Sequence, residues 1–170
     1  MLRKTSFTKF LNSMNEEELR EELDKLYTKY KAVKEYYVME LGEVEDRKKL
    51  LERAKNSISR LYERRKTRSR LSKVNAILKN MSAISIFDHE LADVFIHHVE
   101  CATSHINYYG LRRDADANHL ATSFKKSVDL ITSSQTRDEN APRLEKVLDR
   151  LHRFYMLTNE LGEYLDENLV

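Results

Sequence analysis

His98, Cys101 and His105 fall at i, i+3 and i+7, a spacing that lines three metal-competent side chains along one face of a helix. A cysteine and two histidines suit zinc or copper. One straight helix cannot wrap them around a tetrahedral ion, because positions seven apart are separated by about 10 Å along the axis. A metal-binding enzyme or sensor on this face would need a bend and a fourth ligand. A second core face, running from Val94 to Tyr108, explains the same residues without an ion. His97 lies between Asp93 at i−4 and Glu100 at i+3. A carboxylate there can orient an imidazole as a general base requires, but the same spacing gives ordinary contacts along a helix. His89-Glu90 followed by Asp93 has Asp where a metalloprotease helix has its second His. With three glycines in all, the chain holds no Gly-rich phosphate loop and no Gly-x-Ser-x-Gly turn. Cys101 could act as a nucleophile only in a cleft with an activating base. On a helix face it reads as a small buried hydrophobe. The expectation is a protein without catalytic residues, resident metal or cofactor.

The densest charge lies just upstream. Arg60, Arg64, Arg65, Lys66, Arg68, Arg70 and Lys73 place seven cations in 14 residues, opposed only by Glu63. Arginine forks suit phosphate oxygens, so this run is the candidate polyanion-binding segment, with nucleic acid as the partner. Tyr62 is the sole aromatic within it, which leaves little for bases to stack on. A solvated helix end explains the run equally well. Residues 1–80 hold 21 Lys and Arg against 13 Asp and Glu, whereas residues 81–170 hold 9 against 15. The basic half could therefore meet the acidic half of its own chain or of a second copy.

The elements that carry these residues are helical. With Gly 3 and Pro 1 among 170 residues, the chain lacks the turn residues of a strand-rich fold, and 41% hydrophobic content is enough for a globular core. One cysteine excludes an intrachain disulfide and fits a reducing cytosol. No apolar run reaches signal-peptide or membrane-spanning length. Phe7, Phe10 and Leu11 fit a short leading helix. Asn15 and Glu18 make a capping box, and Leu19, Leu23, Leu26, Tyr30, Val33 and Tyr37 form one continuous apolar seam that Gly42 ends in a left-handed turn. A second helix runs over 43–65, and Leu71 restarts the period up to a packed turn at 82–87. Asp88 is the expected cap of a central buried helix closed by Gly110, with Leu91, Phe95, Val99, Ala102 and Ile106 facing the core. Ala117 to Ile131 follows. Residues 132–140 read as a mobile loop, and a last helix begins at Asn140-Ala141-Pro142, with a bend or break at Gly162.

Three stretches resemble a family of small all-helical bacterial proteins catalogued as a domain of unknown function. They are Phe10 to Leu19, continuing through Leu26-Tyr27 to Val33-Lys34-Glu35-Tyr36-Tyr37; Leu71-Ser72-Lys73 with Ala76-Ile77; and Leu91-Ala92-Asp93, His98-Val99-Glu100 and Asn107-Tyr108-Tyr109-Gly110. The resemblance implies a helical fold and brings no activity, ligand or catalytic residue. Cys101 stands outside the family pattern, which argues against a family-wide metal or redox role. The expectation is a single all-α domain over 1–170, an irregular antiparallel bundle of about six main helices plus a short N-terminal one, with solenoid-like packing of helix pairs as the alternative. Long seams and segregated charge favour a cytoplasmic, non-enzymatic interaction protein that binds another protein or itself.

Overall fold

The computed structural model describes residues 3–63 and 70–169. The described residues form nine helices and no strand: α1 Lys4–Asn12, α2 Glu16–Lys29, α3 Lys31–Leu41, α4 Val44–Glu63, α5 Leu71–Ile84, α6 Asp88–Tyr109, α7 Asp114–Ser134, α8 Arg137–Arg150 and α9 Tyr155–Leu169. None of the described helices is long and apolar enough to cross a membrane.

Helices α4 to α9 make an all-α bundle of three successive hairpins. Side-chain bonds give the directions. Arg47 meets Glu90 and Tyr62 meets His98, so α4 and α6 run parallel; Arg143 meets Asp93 and Asn107 meets the Arg150 carbonyl, so α8 joins the same layer in the same direction. Lys125–Glu160 and Thr132–Asn168 set α7 parallel to α9. Asp88 at the start of α6 meets Ser133 at the end of α7, so the layers are antiparallel. Antiparallel bundle and stacked helix pairs are thus two descriptions of one arrangement.

Helix α6 is the centre. It packs on α4, α5, α7 and α8, and Leu91, Phe95, Val99, Ala102 and Ile106 are all buried, as the periodicity requires. Ala92, Val94 and Ile96 are also buried. A helix apolar on this much of its circumference is stable only as an interior element. The second face is graded: Val94 and His98 are buried, Cys101 and His105 half-buried, and Tyr108 is 80% exposed.

The expected seam from Leu19 to Tyr37 is not one helix. Tyr30 is extended (φ −113°, ψ 118°), closing α2 through its N–H to the Leu26 carbonyl and opening α3 through its own carbonyl. The bend brings Tyr37 to 6.2 Å from Tyr27, ring to ring, where a straight helix would hold them about 15 Å apart. It also lets α3 bury Met39, while α1 and α2 bury no residue at all. The capping box is present, with Glu18 N–H donating to Asn15 and Asn15 N–H donating to Glu18.

Other boundaries moved for identifiable reasons. Residues 132–134 stay helical, and their hydroxyls are satisfied within the helix by donating back to the Val128 and Leu130 carbonyls. Only Gln135, left-handed at φ 56°, and Thr136 separate α7 from α8. Pro142 therefore sits in the second turn of α8, not at its start. The last seam breaks at Leu151–Phe154 and not at Gly162, which lies inside α9; buried Leu151 occupies the turn, and the Thr158 hydroxyl donates to its carbonyl at 2.8 Å. Asp88 is the first helical residue of α6, with Phe87 at the cap position. Gly42 is extended (φ −71°, ψ 153°) and not left-handed; a Cβ there would lie 2.3 Å from the Val38 carbonyl oxygen. Gly110 does close α6 at φ 80°.

Candidate functional site

Polar side chains converge where α4, α6 and α8 lie side by side. Arg143 on α8 forks onto Glu100 through Nε and Nη2 (2.9 and 3.0 Å) and reaches Asp93 through Nη1 (2.7 Å). Lys55 on α4 donates to the other Asp93 oxygen at 2.7 Å. Burial raises the Asp93 pKa, but the hydrogen bonds from Lys55 and Arg143 outweigh it and hold the carboxyl below its ordinary value. Burial works against the Lys55 cation too, and its bonds to Asp93 and Glu52 hold its pKa above the ordinary value. This network ties three helices together at partly exposed positions.

Beside it, Ser59 Oγ shares a 2.8 Å hydrogen bond with His97 Nε2, and His97 Nδ1 lies 4.0 Å from Glu100. Cys101 Sγ lies 3.6 Å from His97 Nε2 and 3.7 Å from Ser59 Oγ. Hydroxyl, imidazole and carboxylate thus stand in the order used for nucleophilic catalysis. Acyl transfer also needs donors aimed at a developing oxyanion. Ser59 and His97 lie mid-helix, where backbone N–H groups are spent on the carbonyls one turn back. Burial raises the Cys101 thiol pKa, and the Ser59 bond only partly offsets this, so the thiolate is disfavoured. The constellation forms a lateral polar contact between α4 and α6.

His98 is fully buried and shares a 2.9 Å hydrogen bond with the Tyr62 hydroxyl. Its ring packs edge-on against His119, which bonds Asn75 of α5. Burial, and then the charges of His119 and His97, push its pKa down to about 3. Burial also drives the Tyr62 phenol well above its ordinary value. His98, Cys101 and His105 do not form one ligand set: His98 bonds the Tyr62 hydroxyl, Cys101 lies against Ser59 and His97, and His105 packs on the rings of Tyr62 and Tyr109. Among the described residues, no three His, Cys, Asp or Glu side chains group closely enough to hold a metal ion.

Of the candidate polyanion-binding residues, Arg60 is exposed near the end of α4, Arg70 is half-buried at the start of α5, and Lys73 is exposed in the first turn of α5. Arg64, Arg65, Lys66 and Arg68 lie outside the described residues. At the end of α4, a hollow of about 390 Å³ opens between its last turns and those of α6, lined by Tyr62, His105, Tyr108 and Tyr109 with Ser59 and Cys101. Sequence reasoning found His97 with its two carboxylates but missed Ser59, Lys55 and Arg143 as their partners. Ser59 and His97 stand 38 residues apart, and only helix packing joins them.

A further feature is the arm α1–α3. Eight of the twelve exposed large apolar side chains among the described residues lie between Phe7 and Val44. Leu23, Tyr27, Tyr37, Val38 and Leu41 line a groove of about 550 Å³ where α2 and α3 meet, and Leu41 is 77% exposed.

Fold and surface together define an all-α protein of stacked helix hairpins preceded by a largely uncovered helical arm. The chain belongs to a family of unknown function (DUF6155), which matches residues 2–166. No curated protein and no solved structure matches it.

Proposed function

We propose that the chain is a helical interaction protein that self-associates through the arm. The observation that carries this is the uncovered seam: α1 and α2 bury none of their residues against the rest of the chain, yet both are amphipathic. Contiguous apolar surface of this kind is a signature of an interface. Its charge pattern favours a second copy over an unrelated partner. Residues 16–24 carry six carboxylates against Arg20, while residues 25–34 carry Lys25, Lys29, Lys31 and Lys34 and no acid. A two-fold pairing sets the acidic end of one arm against the basic end of the other, and a two-fold interface must be self-complementary in this way. A reducing bacterial cytosol, where a lone half-buried thiol stays reduced, is the compartment for this association.

Light scattering over a range of protein concentrations tests it. A dimer is expected, and Leu23→Glu with Tyr27→Glu, both at exposed positions, should yield a folded monomer by weakening association at least about ten-fold. A wild-type chain that stays monomeric throughout, or a dimer indifferent to the double substitution, would sink the proposal.

A further inference from the structure

The hollow at the end of α4 is open and walled largely by aromatic side chains, and two arginines bond to residues that line it. Tyr62 and His105 lie 5.6 Å apart, His105 and Tyr109 4.8 Å, and Tyr109 and Tyr108 4.6 Å, ring centre to ring centre. Tyr108 turns most of its surface to solvent. Two guanidinium groups are tethered to the wall: Arg150 Nη2 donates to Ser104 Oγ at 2.7 Å, and Arg112 Nε donates to the Tyr109 carbonyl at 3.0 Å. Each keeps further N–H groups that can turn outward. Glu63 lines the hollow as an opposing charge. Beyond Glu63 the sequence enters its densest run of arginine and lysine.

Read along the chain, that basic run has one aromatic, Tyr62, and so little for a base to stack on. The fold removes the objection, because the end of α6 brings His105, Tyr108 and Tyr109 alongside Tyr62. Flat apolar faces within reach of fixed cations match a ligand that alternates planar rings with phosphates. A duplex keeps its bases stacked inside and cannot offer a face to such a hollow, whereas a single strand can.

We propose that this hollow is a binding site for single-stranded nucleic acid, in which the exposed Tyr108 ring stacks on a base, Tyr109 stands edge-on beside Tyr108, and Arg112 and Arg150 hold the flanking phosphates. The site lies on α4, α6 and the α8 end, away from the arm, so it stands independently of the self-association described above.

Fluorescence anisotropy with a labelled oligothymidylate tests it, run beside an oligouridylate, the same DNA annealed as a duplex, and an abasic strand of equal charge. Either single strand should bind at low salt, more tightly than the duplex or the abasic strand, and binding should weaken as salt rises. Whichever of the two binds better separates DNA from RNA as the source of the strand. Tyr108→Ala, at a position exposed enough to leave the fold unchanged by circular dichroism, should weaken binding roughly ten-fold. Arg112→Ala and Arg150→Ala should each lower the slope of log affinity against log salt by about one. The proposal is overturned if no single strand binds at low salt. It is equally overturned if duplex or abasic strand binds as well as the base-bearing strand while Tyr108→Ala has no effect; the basic run would then be a nonspecific polyanion contact.

Discussion

An imidazole buried at His98 has to stay neutral, because desolvation opposes its charged form and the adjacent His119 and His97 oppose it further. His119 is held below its ordinary value as well, by its own burial. The unfolded chain binds a proton at each below pH 6.5, while folded His98 does not until about pH 3. Stability therefore rises with pH through that window and is lost on acidification. From pH 8 to pH 5 the loss from His98 alone is about 2 kcal/mol, which lowers the thermal midpoint by roughly 4–8 °C for a chain of this size. Asp93 is held below 3.8, so its contribution disappears only at still lower pH and does not confuse the reading. His98→Gln, neutral throughout, should flatten the slope between pH 5 and 6.5; an unchanged slope would mean that His98 titrates normally. Tyr62→Phe makes the complementary test. Among the described residues, Tyr62 is the hydrogen-bond partner of this fully buried ring and Nδ1 has none, so the substitution leaves the imidazole without a described partner. Thermal unfolding should show a cost of about 1–3 kcal/mol, the desolvation cost of one buried polar group.

The three glycines meet three different demands, two at helix ends and one inside a helix. Gly110 closes α6 at φ 80°, ψ 161°, a region only glycine occupies readily, with open space where a Cβ would sit. Gly110→Ala should cost about 1–3 kcal/mol from backbone strain alone. Gly42 has ordinary dihedral angles, yet a Cβ would collide with the Val38 carbonyl, so Gly42→Ala must shift the α3–α4 junction. Gly162 lies inside α9 with only the Leu148 side chain at 3.9 Å, so Gly162→Ala should stabilise by about 0.5–1 kcal/mol through helix propensity. Chemical denaturation of the three variants checks the opposite signs. The sequence made Gly110 legible, since a glycine after a long apolar period marks a helix end. It placed the helix end at Gly42 correctly but misread the conformation there, and it misled at Gly162, because glycine identity does not say whether conformation, space or neither is at stake. The same limit hid the break at Tyr30, where the apolar steps continue on both sides without glycine or proline, and the driving contact, Tyr27 with Tyr37, appears only after the bend. Core positions on α6 were readable from periodicity. Ser59 on His97, and Arg143 on Asp93 and Glu100, were not, because they depend on which helices become neighbours.

Burial divides the molecule unevenly. Helices α4–α9 and the α8–α9 turn that holds Leu151 contain every buried apolar residue among those described except Met39 of α3. The stability of a monomer should then reside in the hairpins, with α1 and α2 contributing almost nothing to it. A chain beginning at Lys31 keeps Met39 and the α3 contacts to α4 and α5, so it should unfold cooperatively with a midpoint close to that of the dissociated full-length chain. The full-length chain should behave differently if its arms pair. Association of folded copies adds stability by mass action, so its midpoint should climb with protein concentration, whereas that of the truncated chain should not. Differential scanning calorimetry at several concentrations compares the two directly. Concentration-independent midpoints in both chains would separate the arm from self-association. A truncated chain that fails to fold would show instead that α1 and α2 support the hairpins in a way their lack of buried residues does not account for.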